Sequence, residues 1–375
     1  MIKHVMGREI GVQADSRGAC VRVDMATIRQ NAAALRAYIP AKTRLMAVVK
    51  ANAYGHGLVP TARAALQGGA DWLGVATAEE GAALRAAGIQ APCLVLGNVS
   101  ALGAKIAVQS HLAQTVCDRQ GVMLMQQACE KLGKRAWVHL KIDSGMSRIG
   151  ARTSEEAADV LSALSACKNL SLEGAFTHFA KAADAEAAKM QYERFMQLVE
   201  ALPEDVILHA AASEAALRYP QYHLDMVRMG IALYGCAGEI THPAMQWETQ
   251  VVYVKNIDPG DAVSYDGTFT ADRPMRVATI AAGYGDGYAR ACSNRASVLI
   301  HGFRCPVLGR VCMDQTVVDV SHVPQVCVGD AVVLLGRQKD ACITAQELAD
   351  WADTIPYEAL MWHRGRVPVT TENEL

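Results

Sequence analysis

A lysine stands directly after a short apolar run in Ala47-Val48-Val49-Lys50, and the small and polar residues Ala51-Asn52-Ala53 follow it. Partial desolvation or cationic neighbours lower the pKa of such an amine and make it a nucleophile for a carbonyl carbon. Taken alone, the placement suits equally a surface lysine whose stem lies along apolar surface. Polar residues end other apolar stretches in the same way: Lys141 and Asp143, then His178, then His209 with Ser213. Arg228 is embedded in Met226-Val227-Arg228-Met229, where a surface arginine is not expected. It either faces a ligand or belongs to a buried ion pair. One polar residue at the end of a strand means little; several on one rim make a site.

The elements that would carry these residues alternate. Eight strand-like runs are read as Leu45–Val49, Trp72–Ala76, Cys93–Leu96, Ala113–Val116, Trp137–Ile142, Leu172–Thr177, Val206–His209 and Val227–Tyr234. Amphipathic, Ala-rich patterns at Met25–Ala37, Leu58–Leu66, Ala78–Ala87, Arg119–Leu132, Ser154–Ala166 and Ala185–Leu202 predict helices between most of them. Asp24 and Ser154 are read as N-caps, and Gly88 and Gly133 as stops. The connection around Asn98–His111 is weakly patterned. This alternation predicts an α/β fold, a parallel (β/α)8 TIM barrel over residues 24–243. A doubly wound sheet would also alternate, but the G-x-G-x-x-G turn after its first strand is absent. Residues 244–375 change texture, with β-rich segments broken by turns such as Pro259-Gly260, and predict a mainly-β domain. Residues 1–23 form an extension whose strand-like end, Ala19–Val23, is free to pair with that domain. In a barrel of this kind the site lies at the C-terminal ends of the strands, where the polar residues fall.

Composition narrows the function classes. A formal net charge of −2 over 375 residues excludes a bulk drive toward nucleic acid or acidic membranes. The 11 cysteines include no Cys-x-x-Cys pair and no Cys/His group at zinc spacing, so no metal is expected and reduced thiols are. The first twenty residues hold no apolar run suited to a signal peptide or a span, and the expected location is cytoplasmic.

The run Val48-Val49-Lys50-Ala51-Asn52-Ala53-Tyr54-Gly55-His56-Gly57 resembles the pyridoxal-5′-phosphate (PLP) lysine signature of the alanine racemase family. The resemblance extends from about Val21 to Pro368, through Lys141-Ile-Asp143-Ser-Gly145-Met146-Ser-Arg148, Thr177-His178-Phe179, Met226-Val-Arg228-Met-Gly230-Ile231, Ser264-Tyr265-Asp266-Gly267, Gly283–Tyr288 and Cys312-Met313-Asp314-Gln315. It implies a fold-type-III PLP enzyme acting as a homodimer with shared active sites. It would be an isomerase that interconverts L- and D-alanine through an external aldimine, supplying D-alanine for cell wall or serving alanine catabolism.

By the same resemblance Lys50 binds the cofactor covalently and acts as one base, while Tyr265 of the partner subunit acts as the other, with His178 and Arg228 as a relay. Tyr54, Tyr357, Ser213 and the backbone near Gly230 and Ile231 hold the phosphate, and Arg228 faces the pyridine nitrogen. Arg148 orients toward cofactor and substrate. Lys141 is the lysine that is often carbamylated in the family; the plainer arrangement is a salt bridge with Asp143. Met313 and Asp314 bind and orient the substrate carboxylate, also from the partner.

Each residue has a blander reading. Tyr54 and Tyr357 would serve as half-buried tyrosines, Tyr265 before Asp-Gly as a turn residue, and Met313 as core. Ala212-Ser213 departs from the Asn-Ser of many members, which removes a side-chain hydrogen bond near the phosphate and keeps the hydroxyl. Gly283-Tyr-Gly-Asp-Gly287 resembles a phosphate loop but lacks its Lys-Ser/Thr and its strand–helix context, so it reads as a turn. His223 reads as a hydrogen-bonded core histidine. Three other functions stay open: a racemase of serine, lysine or arginine, a fold-type-III decarboxylase, and a non-catalytic PLP-binding protein. A carboxylate where Arg228 stands would favour the decarboxylase.

Overall fold

The computed structural model describes residues 17–374; the part of the N-terminal extension before them lies outside the described residues. Two compact units are present. One comprises Ala26–Ala53 and Gly57–His242; the other takes the described residues before Ala26 with Tyr54–His56 and those from Pro243 onward.

The first strand of the chain, β1 (Cys20–Asp24), belongs to the second unit. The barrel unit is built on β2 (Arg44–Val48), β3 (Trp72–Val75), β4 (Cys93–Val95), β5 (Ala113–Val116), β6 (Ala136–Lys141), β7 (Leu170–Phe176), β8 (Ile207–His209) and β9 (Met226–Met229). Every neighbouring pair from β2 round to β8 is parallel, and β9 pairs with β2. The barrel is nearly closed between β8 and β9 by an isolated parallel bridge, Ala212 to Arg228. Parallel strands covered on both faces must be apolar almost throughout, and β3, β4 and β5 are buried along their whole length.

The helices between them start at side-chain caps. Thr77, Ser100, Asp118, Thr153 and Asp184 each accept a backbone N–H three residues on. The cap of the helix Ser154–Ser165 is thus Thr153 and not Ser154, because Thr153 and Glu156 stand at the spacing a cap needs. Gly133 ends its helix in the left-handed region at φ 63°. The weakly patterned third connection contains the helix Ala101–Gln109.

The eighth strand corrects the sequence reading. It stops at Met229; Gly230 turns the chain, and Ile231–Tyr234 form a buried 3-10 turn. A buried turn and a buried strand present the same apolar residues.

The second unit is a mainly-β assembly around β10 (Met245–Ile257). This strand pairs antiparallel with Met275–Ile280, with Ala331–Gln338 and with β1, which also pairs in parallel with Val369–Glu372. Its core includes Ile257, Val263, Ala271, Met275, Val277 and Leu308. The helix Ala345–Ala352 carries a full capping box from Thr344 and Glu347. A four-residue helix, Pro356–Ala359, was not apparent in the sequence.

Candidate active site

Lys50 follows β2 at the C-terminal end of the barrel, and the chain beyond it takes an unusual path. Ala51, Asn52, Ala53 and Tyr54 all have φ between 52° and 55°, a left-handed turn built without glycine. Each such residue costs roughly 1–2 kcal/mol because its Cβ crowds the following carbonyl. Hydrogen bonds within the barrel unit hold it, among them one from Gly57 N–H to the Asn52 carbonyl at 3.0 Å. Ala53 N–H donates to the Val49 carbonyl at 2.8 Å, Leu58 N–H to Asn52 Oδ1 at 2.9 Å, and Ala51 N–H to Glu80 Oε1 at 2.6 Å. Glu80 was not singled out in the sequence, since a glutamate in the first turn of a helix reads as an ordinary dipole partner.

Burial lowers the Lys50 pKa, and the nearby Arg148 cation lowers it further; Glu80 works against both. Arg228 lies on β9, opposite Met46 of β2 in the register. Its guanidinium is buried and surrounded by acceptors. Nη1 donates to the His209 carbonyl and faces His209 Nδ1, both at 3.0 Å, while Nη2 donates to the carbonyls of Thr177 at 2.6 Å and Ala210 at 2.9 Å. Nη2 also faces His178 Nδ1 at 3.4 Å. Burial pushes the Arg228 pKa down to about 9, and this acceptor shell keeps it a cation at neutral pH. Burial, then Arg228, pushes His178 down to about 3, so His178 is neutral. Arg228 is therefore a buried donor rather than one half of an ion pair.

Lys141 ends β6. Its Nζ donates to the Ile142 carbonyl at 2.6 Å and lies 5.3 Å from the Phe176 ring centroid, on which Arg228 also sits at 5.3 Å. Burial, then Arg228, brings its pKa down to about 8. The plain salt bridge with Asp143 does not form. Asp143 Oδ1 is occupied by the N–H groups of Gly145, Met146 and Ser147, and Oδ2 faces Arg152 at 3.8 Å. Burial raises the Asp143 pKa, but those N–H groups outweigh it and hold the carboxyl low. Arg148 is exposed on the same loop.

Ser213 is buried, and its Oγ accepts the N–H groups of Gly230 at 2.9 Å and Ala232 at 3.2 Å. This gathers a hydroxyl and the backbone around Ile231 at one place. An amine of lowered pKa, a buried donor-only cation and a hydroxyl set among backbone N–H groups suit a phosphorylated aromatic aldehyde, so the barrel donor set fits PLP. His223 is the core histidine expected, its Nε2 2.7 Å from the Ala216 carbonyl. Among the described residues no group of His, Cys, Asp or Glu is arranged to hold a metal ion.

The second unit carries the remaining residues of interest. The Tyr54 and Tyr357 rings lie 5.9 Å apart. Tyr265 starts a short turn between Ser264 and Asp266, both at positive φ, and is 67% exposed. Met313 is 53% exposed, which rules out core packing as its role within this chain.

The Gly283–Gly287 segment is a turn that presses on the Met313 backbone. Tyr284 N–H donates to the Cys312 carbonyl and Gly285 N–H to the Met313 carbonyl, and a Cβ at Gly283 would lie 2.3 Å from the Cys312 oxygen. Buried Asp286 anchors Arg366, whose Nη2 reaches Asp314 Oδ1 at 2.7 Å and the Met313 carbonyl at 3.3 Å. Neither Arg366 nor Asp286 was read as part of a site, because nothing in a sequence couples positions so far apart.

Known proteins resemble the chain along nearly its whole length. The family model for the alanine racemase N-terminal domain matches residues 23–238, and that for the C-terminal domain matches 244–371. Alanine racemase of Symbiobacterium thermophilum is 44% identical over 365 residues, covering 94% of this chain and 96% of that protein. Alanine racemase 2 of Oceanobacillus iheyensis is 41% identical over 370 residues, covering 95% of this chain and 94% of that one. The crystal structure of alanine racemase from D-cycloserine-producing Streptomyces lavendulae superposes with a TM-score of 0.90 at 33% identity, covering 97% of this chain and 99% of the other. With both domain models matched along nearly its whole length, this chain belongs to the alanine racemase family.

Proposed function

We propose that the chain racemises alanine, with PLP held on Lys50. The observation that carries this reading is a half-buried lysine of lowered pKa, at the end of a barrel strand, in the same barrel unit as a buried arginine that can only donate. When bound, PLP supplies an electron sink that loosens the Cα–H bond of an amino acid. Lys50 binds the cofactor and moves a proton at Cα on one face. Arg228 would face the pyridine nitrogen and, holding its own proton, would leave that nitrogen unprotonated. Ser213, the backbone near Gly230 and Ile231, Tyr54 and Tyr357 hold the phosphate.

Proton delivery to the opposite face needs a second group. Tyr265, exposed on the second unit, is assigned that role in the partner subunit, so the working form is a homodimer with shared sites. Met313 and Asp314 bind the substrate carboxylate from the same partner. Arg148 orients toward cofactor and substrate, His178 links Arg228 to the tyrosine face, and Lys141 is the site of carbamylation, which its lowered pKa favours.

The experiment is an assay of purified holoenzyme on L-alanine, L-serine, L-lysine and L-arginine, read by chiral chromatography. Enantiomers in water have equal free energy, so alanine is expected to approach an equal mixture of both hands. Serine is expected to turn over more slowly, since a small pocket discriminates by only about 1–3 kcal/mol. Comparable efficiency on lysine or arginine, or release of carbon dioxide in place of racemisation, contradicts the reading.

A further inference from the structure

Behind Arg228, inside the barrel wall, lies a line of polar groups that the proposed reaction does not use. His209 Nε2 is 2.9 Å from His139 Nδ1, and both rings are fully buried. His139 Nε2 has no hydrogen-bond partner and faces Glu173 Oε2 at 3.5 Å. That separation is longer than a direct hydrogen bond, but the Glu173 side chain is 27% exposed and free to adjust.

Two backbone features place these groups. The β6–β7 register pairs Val138 with Leu172 and His139 with Gly174, so Glu173 is the extra residue of a bulge, a feature that re-aims a side chain. Gly174 leaves room for the ring: a Cβ there would lie 2.4 Å from both His139 Nδ1 and Cε1.

The direction of the line follows from donor chemistry. Arginine only donates, so the His209 Nδ1 that faces Arg228 must accept. Burial holds both histidines below their ordinary pKa, and a neutral His209 then carries its proton on Nε2. It donates to His139 Nδ1, which leaves the His139 proton on Nε2, pointing at the Glu173 carboxylate.

We propose that His139 and Glu173 are positioning residues for Arg228. The one-way chain Arg228 to His209 to His139 to Glu173 fixes both rings as neutral Nε2–H tautomers and gives the buried guanidinium a remote anion. The consequence for catalysis rests on the reading that Arg228 faces the cofactor nitrogen; the tautomers do not.

The test uses holoenzyme labelled with 15N-histidine, whose ring nitrogens report tautomer and charge by NMR. Both His139 and His209 are expected neutral with the proton on Nε2 at pH 7.5. In Glu173→Gln the His139 Nε2 resonance should move, and kcat for L-alanine should fall about fivefold while KM stays within twofold. Glu173→Asp, which keeps the charge, should recover most of that loss, and Gly174→Ala should displace the His139 signals. A proton on Nδ1 of either ring, or an imidazolium, overturns the proposal. So does a folded Glu173→Gln enzyme with unchanged kcat and unchanged His139 resonances, or a Glu173→Asp enzyme as slow as Glu173→Gln. If the wild-type protein shows these tautomers but racemises nothing, the proposed function fails while the chain of donors stands on the NMR arm.

Discussion

The carboxylate of Glu80 accepts the backbone N–H of Ala51, the residue after Lys50, at 2.6 Å, and through its other oxygen that of Ala76 at 2.8 Å. One side chain thus ties the first left-handed residue beyond the lysine to the end of β3. Without it, the strain of four consecutive positive-φ residues would be balanced by fewer bonds, and the Lys50 backbone would be less well fixed. Glu80→Ala is expected to lower kcat about tenfold, equivalent to about 1.4 kcal/mol of positioning. Stability should fall by about 1–2 kcal/mol, because water reaches part of the site. Steady-state kinetics and urea titration check both; an unchanged kcat would show that the turn holds itself.

The buried histidines set an acid limit on the fold. His178 is held down to about 3, and His139 and His209 also lie below their ordinary value, in each case first by burial. In the unfolded chain all three take up protons near pH 6.5, whereas the folded protein resists. Stability is therefore fully present above about pH 6.5 and is lost as pH falls below it, each histidine adding a slope that approaches about 1.4 kcal/mol per pH unit. NMR titration from pH 8 to 5 should show no protonation of His178 or His209. A midpoint near 6.5 for either contradicts the buried environment described.

Much of this was legible in the sequence, and the losses have physical causes. The barrel strands could be read because strands covered on both faces are continuous apolar runs, and the candidate polar residues showed as the points where those runs end. The eighth strand was read too long because Ile231–Tyr234 is as buried as a strand while its backbone turns. Glu173 escaped notice because a bulge in β7 breaks the two-residue period by which strand faces are read. The left-handed turn after Lys50 was invisible, since alanine ordinarily prefers the right-handed region and only the surrounding bonds impose the other. Arg366 depends on Asp286 and Asp314, which lie 80 and 52 residues away along the chain.

Arg366 carries its own prediction. It is the side chain that fastens the Met313–Asp314 segment to buried Asp286. Arg366→Ala is expected to raise KM for alanine about tenfold with a smaller change in kcat, because the segment is assigned to substrate binding. A larger effect on kcat than on KM would move the segment's role from binding to the chemical step.

A site shared between subunits, as proposed above, would permit complementation. Lys50→Ala and Tyr265→Ala homodimers should each be nearly inactive in racemisation. Mixed dimers hold one site with both residues intact and should regain activity there. Heterodimers confirmed by mass analysis but still inactive would place Tyr265 in its own subunit's site or outside the chemistry.

Whether Lys50 holds the cofactor is decided by covalent mapping. Holoenzyme reduced with borohydride and digested should yield a single pyridoxyl-labelled peptide, with the label on Lys50 of Val49-Lys50-Ala51. The same label on Lys141 or any other lysine, or no label in protein that binds PLP stoichiometrically, would rule Lys50 out as the cofactor's anchor.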